Sequence, residues 1–248
     1  MRIRYLPETL VNQIAAGEVI ERPAAALKEL VENAIDAGAT RIEVDLHDGG
    51  KSLISVRDNG GGMTREELVA SLDRHATSKL PDEDLLNIRH LGFRGEALAS
   101  IASVARIAIK TRRTGEAEAW EIAAEAGKKH APAPSSHPEG THIEVRDLFF
   151  ATPARLKFLK TERAEYLAVK EMLSRLAMTA PHVAFSLTHD GQKSLKLPAV
   201  SSNEARLSAL LGRDFGENMI EINAEREGIE LRGYAGLPTY NRGTAQYQ

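Results

Sequence analysis

The chain has 248 residues, of which 42% are hydrophobic and 27% are charged, and this composition is typical of a globular protein with a sizeable core. It contains no cysteine, which excludes disulfide bonds and cysteine-ligated zinc. It also shows neither a leader peptide nor the ~20 consecutive apolar residues of a membrane span, so we expect a cytoplasmic protein without a membrane partner. The formal net charge of −3 does not attract nucleic acid to the chain as a whole, and contact with DNA therefore requires a local basic patch.

The N-terminal third of the chain begins with an arm and a helix. Residues 1–20 predict an arm with a short helix around Ile14–Gly17, and Arg22-Pro23 begins a longer helix that ends before Gly38. The apolar stripe of this longer helix consists of Leu27, Leu30, Val31 and Ala34. The side chains of Glu29, Asn33 and Asp36 share the opposite face, which is either solvated or part of a site.

Residues 42–58 predict an antiparallel hairpin, because apolar and polar residues alternate on both sides of a turn at Asp48-Gly49-Gly50. In the second strand Ile54, Val56 and Asp58 share one parity, so the carboxylate of Asp58 continues the inward-facing apolar row. Burying an unpaired charge is costly, and this carboxylate therefore needs a partner.

The segment after Asp58 leaves two interpretations open. Three consecutive glycines, Gly60–Gly62, would allow a ligand to approach the backbone closely, and the carboxylate would then suit a donor such as an exocyclic amine. The alternative is an Asx-type turn with Asn59-Gly60.

Residues 64–98 combine a helix signal with a long irregular stretch. Thr64-Arg-Glu-Glu67 is a capping box that predicts a short helix. Residues 74–95 show no sustained period and predict a lid-like loop with one short helix at Asp82–Ile88. Helix resumes near Glu96, so the amides from Arg94-Gly95 onwards lie at a helix N-terminus that favours an anion such as phosphate. A Gly-x-x-Gly before a helix is by itself weak evidence for phosphate binding.

Strands and helices then alternate. The predicted strands are Val104–Thr111, Ala117–Ala123, the segment of Thr141, Ile143 and Val145, and the hairpin strands Val183–Thr188 and Ser194–Leu197. The shared parity of the third strand points the hydroxyl of Thr141 inward. Ala131–Pro138 is predicted to be an irregular surface loop. Helices are predicted from Thr152-Pro153 and over Glu162–Met178.

The last part of the chain gives a domain boundary and a basic patch. We place the boundary in the irregular segment Pro198–Asn203, after which one helix (Glu204–Leu211) and one strand (Ile229–Tyr234) are predicted. The clearest basic patch consists of Arg155, Lys157, Lys160 and Arg163. Such a helix face is more often simply solvated than in contact with DNA.

Four short motifs resemble the ATP-site motifs of the GHKL superfamily, which includes gyrase B, heat-shock chaperones, histidine kinases and MutL. They are Glu29-x-x-x-Asn33, Asp58-x-Gly60-x-Gly62, Gly92-Phe93-Arg94-Gly95-Glu96-Ala97-Leu98 and Gly140-Thr141. Any one of these motifs would be weak evidence for the resemblance, but four in the right order are strong evidence. Three further strings, Gln13–Ile20, Arg74–Lys79 and Arg146–Arg155, resemble the MutL family of DNA mismatch-repair proteins, and the resemblance covers essentially the whole chain.

The resemblance implies the fold and its division into domains. The fold would be α+β, a Bergerat-type α/β sandwich over residues 1–200 with helices on one face of a mostly antiparallel sheet. Residues 1–20 would be a dimerisation arm and residues 71–100 the ATP lid. Residues 201–248 would begin a second, transducer domain that resembles ribosomal protein S5.

The resemblance also implies a role for each motif, with ATP and Mg²⁺ as cofactors. Glu29 would be the general base that activates water, and Asn33 would offer its amide oxygen to the metal. Asp58 would accept a hydrogen bond from the adenine amine, with the glycines of its motif (Gly60 and Gly62) and Thr141 near the base. The phosphates would be wrapped by Thr77, Ser78, Lys79, Gly92, Phe93, Arg94, Gly95, Glu96, Ala97 and Leu98. No Gly-x-x-x-x-Gly-Lys-Ser/Thr occurs, so the chain is not a P-loop enzyme.

In the family it resembles, ATP closes the lid and pairs two N-terminal domains, and hydrolysis resets them, so that ATP acts as a slow conformational switch. We therefore expect a homodimer on ATP binding, a MutS-type mismatch-recognition protein as one partner, and an endonuclease and a helicase as downstream partners. Contact with DNA is expected to be weak and non-specific.

The sequence departs from the family pattern at two places. Ala151 stands where the family usually has Asn, and we expect a local effect only. The chain stops at Tyr247-Gln248, where the family continues with a second-domain lysine that reaches the γ-phosphate, so we expect a fragment with slow hydrolysis.

Two alternative functions remain at this point. One is another GHKL enzyme, a gyrase-type ATPase or a kinase, although only a short arm precedes the Glu29 helix where a kinase would carry a phosphoacceptor helix. The other is a non-catalytic scaffold for DNA or partners, against which the intact Glu29, Asn33 and Asp58 argue.

Overall fold

The computed structural model describes residues 3–79, 92 and 94–240 of the chain. Within these residues nine strands join one sheet, and two more form a separate hairpin. The strands of the large sheet are β1 (Arg41–His47), β2 (Leu53–Asp58), β3 (Arg106–Arg112), β4 (Ala119–Glu125), β5 (Lys128–Lys129), β6 (Ala133–Ser135), β7 (Gly140–Arg146), β8 (Ala184–His189) and β9 (Gln192–Leu197). The separate hairpin consists of β10 (Met219–Arg226) and β11 (Ile229–Gly236).

Helices precede, interrupt and follow the sheet strands. They are α1 (Glu8–Val19), α2 (Pro23–Asp36), α3 (Arg65–Ala70), α4 (Ala97–Val104), α5 (Pro153–Leu156), α6 (Glu162–Thr179), α7 (Asn203–Leu211) and α8 (Arg213–Glu217), with a 3₁₀ turn at Asp48–Gly50 between β1 and β2. None of the helices that the structure describes is long and apolar enough to cross a membrane.

The large sheet is mostly antiparallel. Its order is β5-β4-β3-β7-β2-β1-β8-β9, with β6 beside β4, and β1 and β8 are the parallel pair among the described strands. Each inner strand buries alternate residues, as in β1, where Ile42, Val44 and Leu46 are buried between exposed Arg41, Glu43 and His47. Because only one face is buried, the helices cover that face. The predicted α+β sandwich is therefore confirmed.

Helix α2 lies at the centre of the helical layer. Its predicted stripe is buried: Leu27, Leu30 and Val31 are at most 1% exposed, and the helix packs against α6 and β2. Gly38 follows the helix with φ +74°, which is the predicted glycine C-cap. The capping box of α3 is also confirmed, because the hydroxyl of Thr64 accepts from the Glu67 amide and the Glu67 carboxylate accepts from the Thr64 amide.

The structure differs from the prediction in several element bounds. The short helix expected around Ile14–Gly17 is a 12-residue helix, α1, which packs on α4. Val104 ends α4 instead of beginning a strand. The segment Ala131–Pro138, predicted to be irregular, contains the edge strand β6. Helix α8 and strand β10 were not predicted, and the predicted helix Asp82–Ile88 lies outside the described residues.

Arg155 belongs to the predicted basic patch, but its side chain binds the C-terminal part of α1. It is therefore not available to the patch. Its guanidinium Nη1 donates to the carbonyl oxygen of Gly17 at 2.8 Å. A Cβ at Gly17 would lie 1.6 Å from the guanidinium carbon, so a larger residue at this position would displace the Arg155 side chain. Arg155 is thus engaged within the protein, whereas α1 leaves Val11 and Ile14 45% and 50% exposed.

Helix α7 packs on the large sheet through one buried arginine. Arg206 is fully buried, and its Nη2 donates to the carbonyl oxygens of Pro181 (2.8 Å) and Val183 (2.5 Å). The helix therefore lies against α6 and β9, although it follows the predicted boundary. The boundary near residue 200 and the S5-like second domain stay predictions.

Candidate functional site

The polar face of α2 forms one wall of a cleft. Glu29, Asn33 and Asp36 all line it, as their common helical face predicts. The Glu29 side chain is 24% exposed, and its Oε1 lies 3.5 Å from the ammonium of Lys28. This ammonium also donates to Glu32 Oε2 at 2.7 Å. The candidate base therefore has a cation beside it and still faces solvent.

Lys28 is a site residue that the sequence analysis missed. Burial alone would lower the pKa of Lys28, but the hydrogen bond to Glu32 and the nearby charge of Glu29 outweigh it, so that the pKa is raised. The i,i+4 spacing of Lys28 and Glu32 was the available signal. Lys28 therefore stays charged and places a positive charge 3.5 Å from the Glu29 carboxylate.

Asn33 and Asp36 meet the candidate phosphate loop. The ammonium of Lys79 donates to Asn33 Oδ1 at 2.7 Å and to Asp36 Oδ2 at 2.6 Å. The amide of Gly92 donates to the same Asp36 oxygen at 3.2 Å. The hydroxyl of Thr77 accepts from the Lys79 amide at 3.1 Å and so orders the turn before the lysine. Two segments far apart in sequence thus converge on the end of α2.

Asp58 lies at the inner end of the cleft, on β2. Burial raises its pKa from the ordinary 3.8 to about 6, and hydrogen bonds from the backbone of Gly60 and Thr141 offset part of this effect. The Gly60 amide donates to Asp58 Oδ1 at 2.8 Å. The Asx-type contact is therefore present through one carboxylate oxygen, and Asp58 also lines the cleft, so that its role toward a ligand stays a prediction.

Three paired positions on neighbouring strands carry polar side chains. Asp58 on β2 is paired with Thr141 on β7, and Thr141 is paired with Thr111 on β3. The Thr111 and Thr141 hydroxyls lie 3.1 Å apart, Thr111 donates to the Gly140 carbonyl oxygen, and it accepts from the Met63 amide, both at 3.0 Å. The inward orientation of Thr141 is confirmed. Thr111, which ends the apolar row of Ile107 and Ile109, could have been found by the same parity argument.

The glycines after Asp58 are required by neighbouring backbone. Gly62 has φ +63°, and a Cβ there would lie 2.0 Å from the Arg112 carbonyl oxygen. A Cβ at Gly60 would lie 2.8 Å from the Ala37 carbonyl oxygen. The groups that approach these glycines closely are thus carbonyl oxygens of the chain itself. Gly61 and Gly62 line the cleft, whereas Gly60 lies behind Asp58 and supports it.

Residues 75–79 and 94–96, which precede α4, form another wall of the cleft. The His75 amide donates to the Gly95 carbonyl oxygen at 3.1 Å, and Gly95 has φ +63° with its missing Cβ 2.5 Å from the Ala76 carbonyl oxygen. The two halves of the predicted phosphate loop therefore pack on each other. Helix α4 begins at Ala97, as predicted from the resumed helical pattern, so that its N-terminus faces the cleft.

Most of the predicted site residues line this single cleft. They are Glu29, Asn33, Asp58, Gly62, Thr77, Ser78, Lys79, Gly92, Arg94, Gly95, Glu96, Ala97, Leu98 and Thr141. Of the other two, Gly60 supports Asp58 from behind, and Phe93 lies outside the described residues. The cleft combines a solvent-facing carboxylate, a buried carboxylate and a helix N-terminus, which suits a ligand with a hydrogen-bond donor at one end and negative charge at the other.

A second cluster of ligand-type side chains has a structural explanation. Glu162, His189 and Asp190 have side-chain atoms close enough together to hold an ion. The Gly49 amide, however, donates to His189 Nε2 at 3.2 Å, and the imidazole stacks on Tyr166 with ring centroids 4.3 Å apart. The imidazole nitrogen that faces the carboxylates is therefore already used to hold the β1–β2 turn.

Comparison with known proteins agrees with this geometry. Residues 20–150 match the family described as histidine kinase-, DNA gyrase B-, and HSP90-like ATPases. The chain is 56% identical over 253 residues to the DNA mismatch repair protein MutL of Paramagnetospirillum magneticum and 56% identical over 259 residues to MutL of Caulobacter vibrioides strain NA1000. These alignments cover 100% of this chain but 42% and 41% of the two relatives, so the chain spans about two fifths of their length.

Solved structures show the same likeness. The Aquifex aeolicus MutL ATPase domain complexed with ADP matches with a TM-score of 0.71 and 36% identity, over 91% of this chain and 80% of that chain. The N-terminal domain of a DNA repair protein matches with a TM-score of 0.75 and 27% identity, over 90% of this chain and 70% of that one. The chain therefore belongs to the family of histidine kinase-, DNA gyrase B- and HSP90-like ATPases, the GHKL superfamily whose motifs it carries, and it is similar to MutL over its whole length.

Proposed function

We propose that this chain is the ATP-binding and ATP-hydrolysing region of a MutL-type DNA mismatch-repair protein. One observation carries the proposal: the base candidate Glu29, the metal-ligand candidate Asn33 and the buried Asp58 line one cleft of a chain that is 56% identical to MutL. The ADP that is bound in the related Aquifex aeolicus domain supports a nucleotide as the ligand.

Asp58 recognises the nucleobase. The Asp58 carboxylate is buried, its pKa is raised, and the backbone hydrogen bonds from Gly60 and Thr141 offset only part of the cost of burial; the exocyclic amine of adenine supplies a further donor. Guanine presents a carbonyl oxygen at the corresponding position, which would repel the carboxylate. Thr141, next to Asp58 in the sheet, offers its hydroxyl to the base directly or through water.

Asn33 and Asp36, at the end of α2, would hold Mg²⁺ next to the phosphates. The donor set fits such a metal, because a cation, the Lys79 ammonium, already sits on the amide oxygen of Asn33 and the carboxylate oxygen of Asp36. Oxygen ligands of this kind are those that Mg²⁺ prefers. The bound metal would neutralise charge on the phosphates. The amides at the start of α4 and the side chains of Thr77 and Ser78 hold the remaining phosphate oxygens.

Glu29 orients and deprotonates the attacking water. Its side chain faces the cleft one helical turn before Asn33, so a carboxylate oxygen and the metal ligand lie on the same side of the bound phosphates. The neighbouring Lys28 ammonium attracts the Glu29 carboxylate and helps to position it until the nucleotide binds. Hydrolysis is slow, as expected of a switch.

In the cell, ATP binding closes the lid and pairs two copies through their N-terminal arms, and the exposed Ile3, Tyr5 and Val11 supply apolar surface for this contact. The resulting homodimer relays recognition by a MutS-type protein to an endonuclease and a helicase, with weak non-specific contact to DNA, in the cytoplasm.

Equilibrium binding of ADP and of a non-hydrolysable ATP analogue in the presence of Mg²⁺ tests the nucleotide site. The native protein is compared with Asp58→Ala and with Glu66→Ala, a matched control whose carboxylate lies on α3 outside the cleft and is 78% exposed. Saturable binding that is lost only in Asp58→Ala supports the proposal. If the native protein fails to bind either nucleotide, or if both variants bind like the native protein, the assignment of the cleft is wrong.

Glu29→Gln separates binding from hydrolysis. The amide keeps the shape of the side chain but cannot take a proton, so we expect nucleotide affinity within about threefold of the native value and hydrolysis lowered by about 10²-fold or more. Glu66→Gln is the control. A parallel loss of binding and hydrolysis in Glu29→Gln would mean that Glu29 is part of the binding surface and not the base.

A further inference from the structure

The ammonium of Lys79 occupies a prepared position between two oxygens of α2. It lies 2.7 Å from Asn33 Oδ1 and 2.6 Å from Asp36 Oδ2. The side chains of Lys79 and Asp36 are only 17% and 9% exposed, so the pair is shielded from solvent. Because Lys79 lies 43 residues from Asp36 in sequence, the contact is a tertiary one and not a consequence of helical spacing.

Gly92 closes this position from the other side. Its amide donates to the same Asp36 oxygen at 3.2 Å. A Cβ at Gly92 would lie 2.8 Å from the Lys79 ammonium and 2.9 Å from Asn33 Oδ1. The space between Gly92 and α2 is therefore filled by a cation, and a side chain on residue 92 would have to displace it.

The oxygens that hold the ammonium are of the kind that bind a hard metal ion. One is the amide oxygen of Asn33 and the other a carboxylate oxygen of Asp36, and the proposed function places Mg²⁺ at this pair. The geometry points to Lys79 as an internal cation that holds the metal position when no metal–nucleotide is bound, with Asp36 as its anchor. This inference rests on the proposed function for the identity of the metal site.

The ammonium and a divalent ion exclude each other from this position, because both are positive and both need the same oxygens. Without metal, Lys79 neutralises Asp36, and this lets polyphosphate approach the end of α2. With metal, Asn33 and Asp36 would hold the ion instead of the ammonium, and Lys79 would be released into the cleft that it also lines. Lys79 is thus a positioning residue whose importance changes with the metal.

Metal binding without nucleotide tests this directly. Mn²⁺ serves as the probe, and the free ion is followed by electron paramagnetic resonance in the native protein, in Lys79→Met, and in Lys110→Met as a matched control outside the cleft. We expect Lys79→Met to bind Mn²⁺ at least about tenfold more tightly than the native protein, since the competing charge is gone. Adding Asp36→Asn to Lys79→Met should remove the gain. Equal Mn²⁺ affinity in the native protein and in Lys79→Met overturns the inference.

Nucleotide binding gives a second readout. The dissociation constant of ADP is measured with a chelator and with saturating Mg²⁺. The first constant is divided by the second, and this ratio is compared between the proteins. Loss of Lys79 should weaken metal-free binding more than metal-loaded binding, so that the ratio rises at least about tenfold in Lys79→Met and stays unchanged in Lys110→Met. A ratio that is unchanged or lower in Lys79→Met counts against the internal cation.

The two readouts separate the inference from the proposed function. A native protein that binds no nucleotide refutes the proposed function, while the Mn²⁺ measurement still decides whether Lys79 blocks a cation position. If Lys79→Met does not fold, as judged by its thermal unfolding, Lys79→Gln removes the charge while keeping a polar side chain and is put through the same measurements.

Discussion

Replacing Asp58 by Asn should stabilise the nucleotide-free protein at neutral pH while abolishing nucleotide binding. The pKa of Asp58 is raised to about 6 in the folded protein by burial, against an ordinary value of 3.8. The fold therefore disfavours the ionised carboxylate. Asn has the same shape and no charge, so the variant lacks this penalty.

The sign and size of this change in stability follow from the linkage between folding and proton binding. Between about pH 4 and pH 6 the folded protein holds a proton on Asp58 that the unfolded chain has lost, so stability falls as the pH rises through this window. The full penalty above pH ~6 is about 3 kcal/mol, from a difference of about 2 pKa units at 1.36 kcal/mol each. About 2 kcal/mol of it develops between pH ~4.5 and pH ~7.5.

Urea unfolding of the native protein and of Asp58→Asn at these two pH values measures the effect. Subtracting one protein from the other cancels every other titrating group. We expect the advantage of the variant to grow by about 2 kcal/mol from the lower to the higher pH. The same stability difference at both pH values would refute the argument, because it would mean that burial does not perturb this carboxylate.

The same substitution should abolish nucleotide binding for a chemical reason. One Asp58 oxygen accepts from the Gly60 amide, and the residue also lines the cleft. Asn offers one acceptor and one donor, so either the Gly60 amide or the adenine amine would meet an N–H group. Stability and binding should therefore move in opposite directions, which is typical of a functional residue whose charge opposes folding.

Three further substitutions test the packing around the cleft by urea unfolding, with ADP binding as a second measurement where stated. Glu165→Ala should lower the free energy of unfolding by about 3 kcal/mol, because this buried carboxylate accepts from the Arg22 guanidinium at 2.9 Å. Gly62→Ala should cost about 2 kcal/mol or more and weaken ADP binding, because the new Cβ would meet the Arg112 carbonyl oxygen at 2.0 Å with φ at +63°. Thr111→Val should cost about 1–3 kcal/mol and weaken ADP binding, since it leaves buried hydrogen-bonding groups unpaired.

Each of these has a matched control within the chain. Glu171→Ala on the exposed side of α6 should cost less than about 0.5 kcal/mol. Gly38→Ala introduces a Cβ at a similar φ of +74° with nothing within 4 Å, so it measures the backbone strain alone, about 1 kcal/mol. Thr179→Val removes one exposed hydroxyl contact. If a control matches its test variant, the buried contact is not the cause.

The parts of the site that follow a local period could be predicted from the sequence. The helical spacing of Glu29, Asn33 and Asp36 and the strand parity of Asp58 and Thr141 fix which way each side chain points, whatever the rest of the chain does. These residues all line the cleft. The resemblance then supplied the roles that spacing alone could not give.

Contacts between distant segments could not be predicted in this way. The hydrogen bonds of Lys79 to α2 depend on how the segment before α4 folds back, and no local pattern encodes that path. The glycines after Asp58 were expected to let a ligand approach the backbone, whereas the group that lies against Gly62 is the Arg112 carbonyl, which only the fold reveals.

Weak periodicity explains the missed elements. Strand β6 has three residues at an edge of the sheet and includes Pro134, which is tolerated there and disguises the strand. Strand β10 alternates, but its outward and inward residues are both largely exposed in the described structure, so the pattern lacks a clear apolar side. Helix α1 likewise exposes several of its apolar residues, which weakens the usual signal.

The pairing of Asp58 with Thr141 and of Thr141 with Thr111 forms a single rung of the sheet, perpendicular to β2, β7 and β3. Asp58 and Thr141 line the cleft, and the fully buried Thr111 is hydrogen-bonded to Thr141. A slip of one residue in any of these strands would turn one member of the rung to the opposite face and bring an outward-facing neighbour into the cleft. The nucleotide would then lose its proposed contacts with Asp58 and Thr141 even if every helix stayed in place. Ligand affinity in this protein therefore depends on the register of these three strands. A change of register would abolish binding while the secondary-structure content stayed the same.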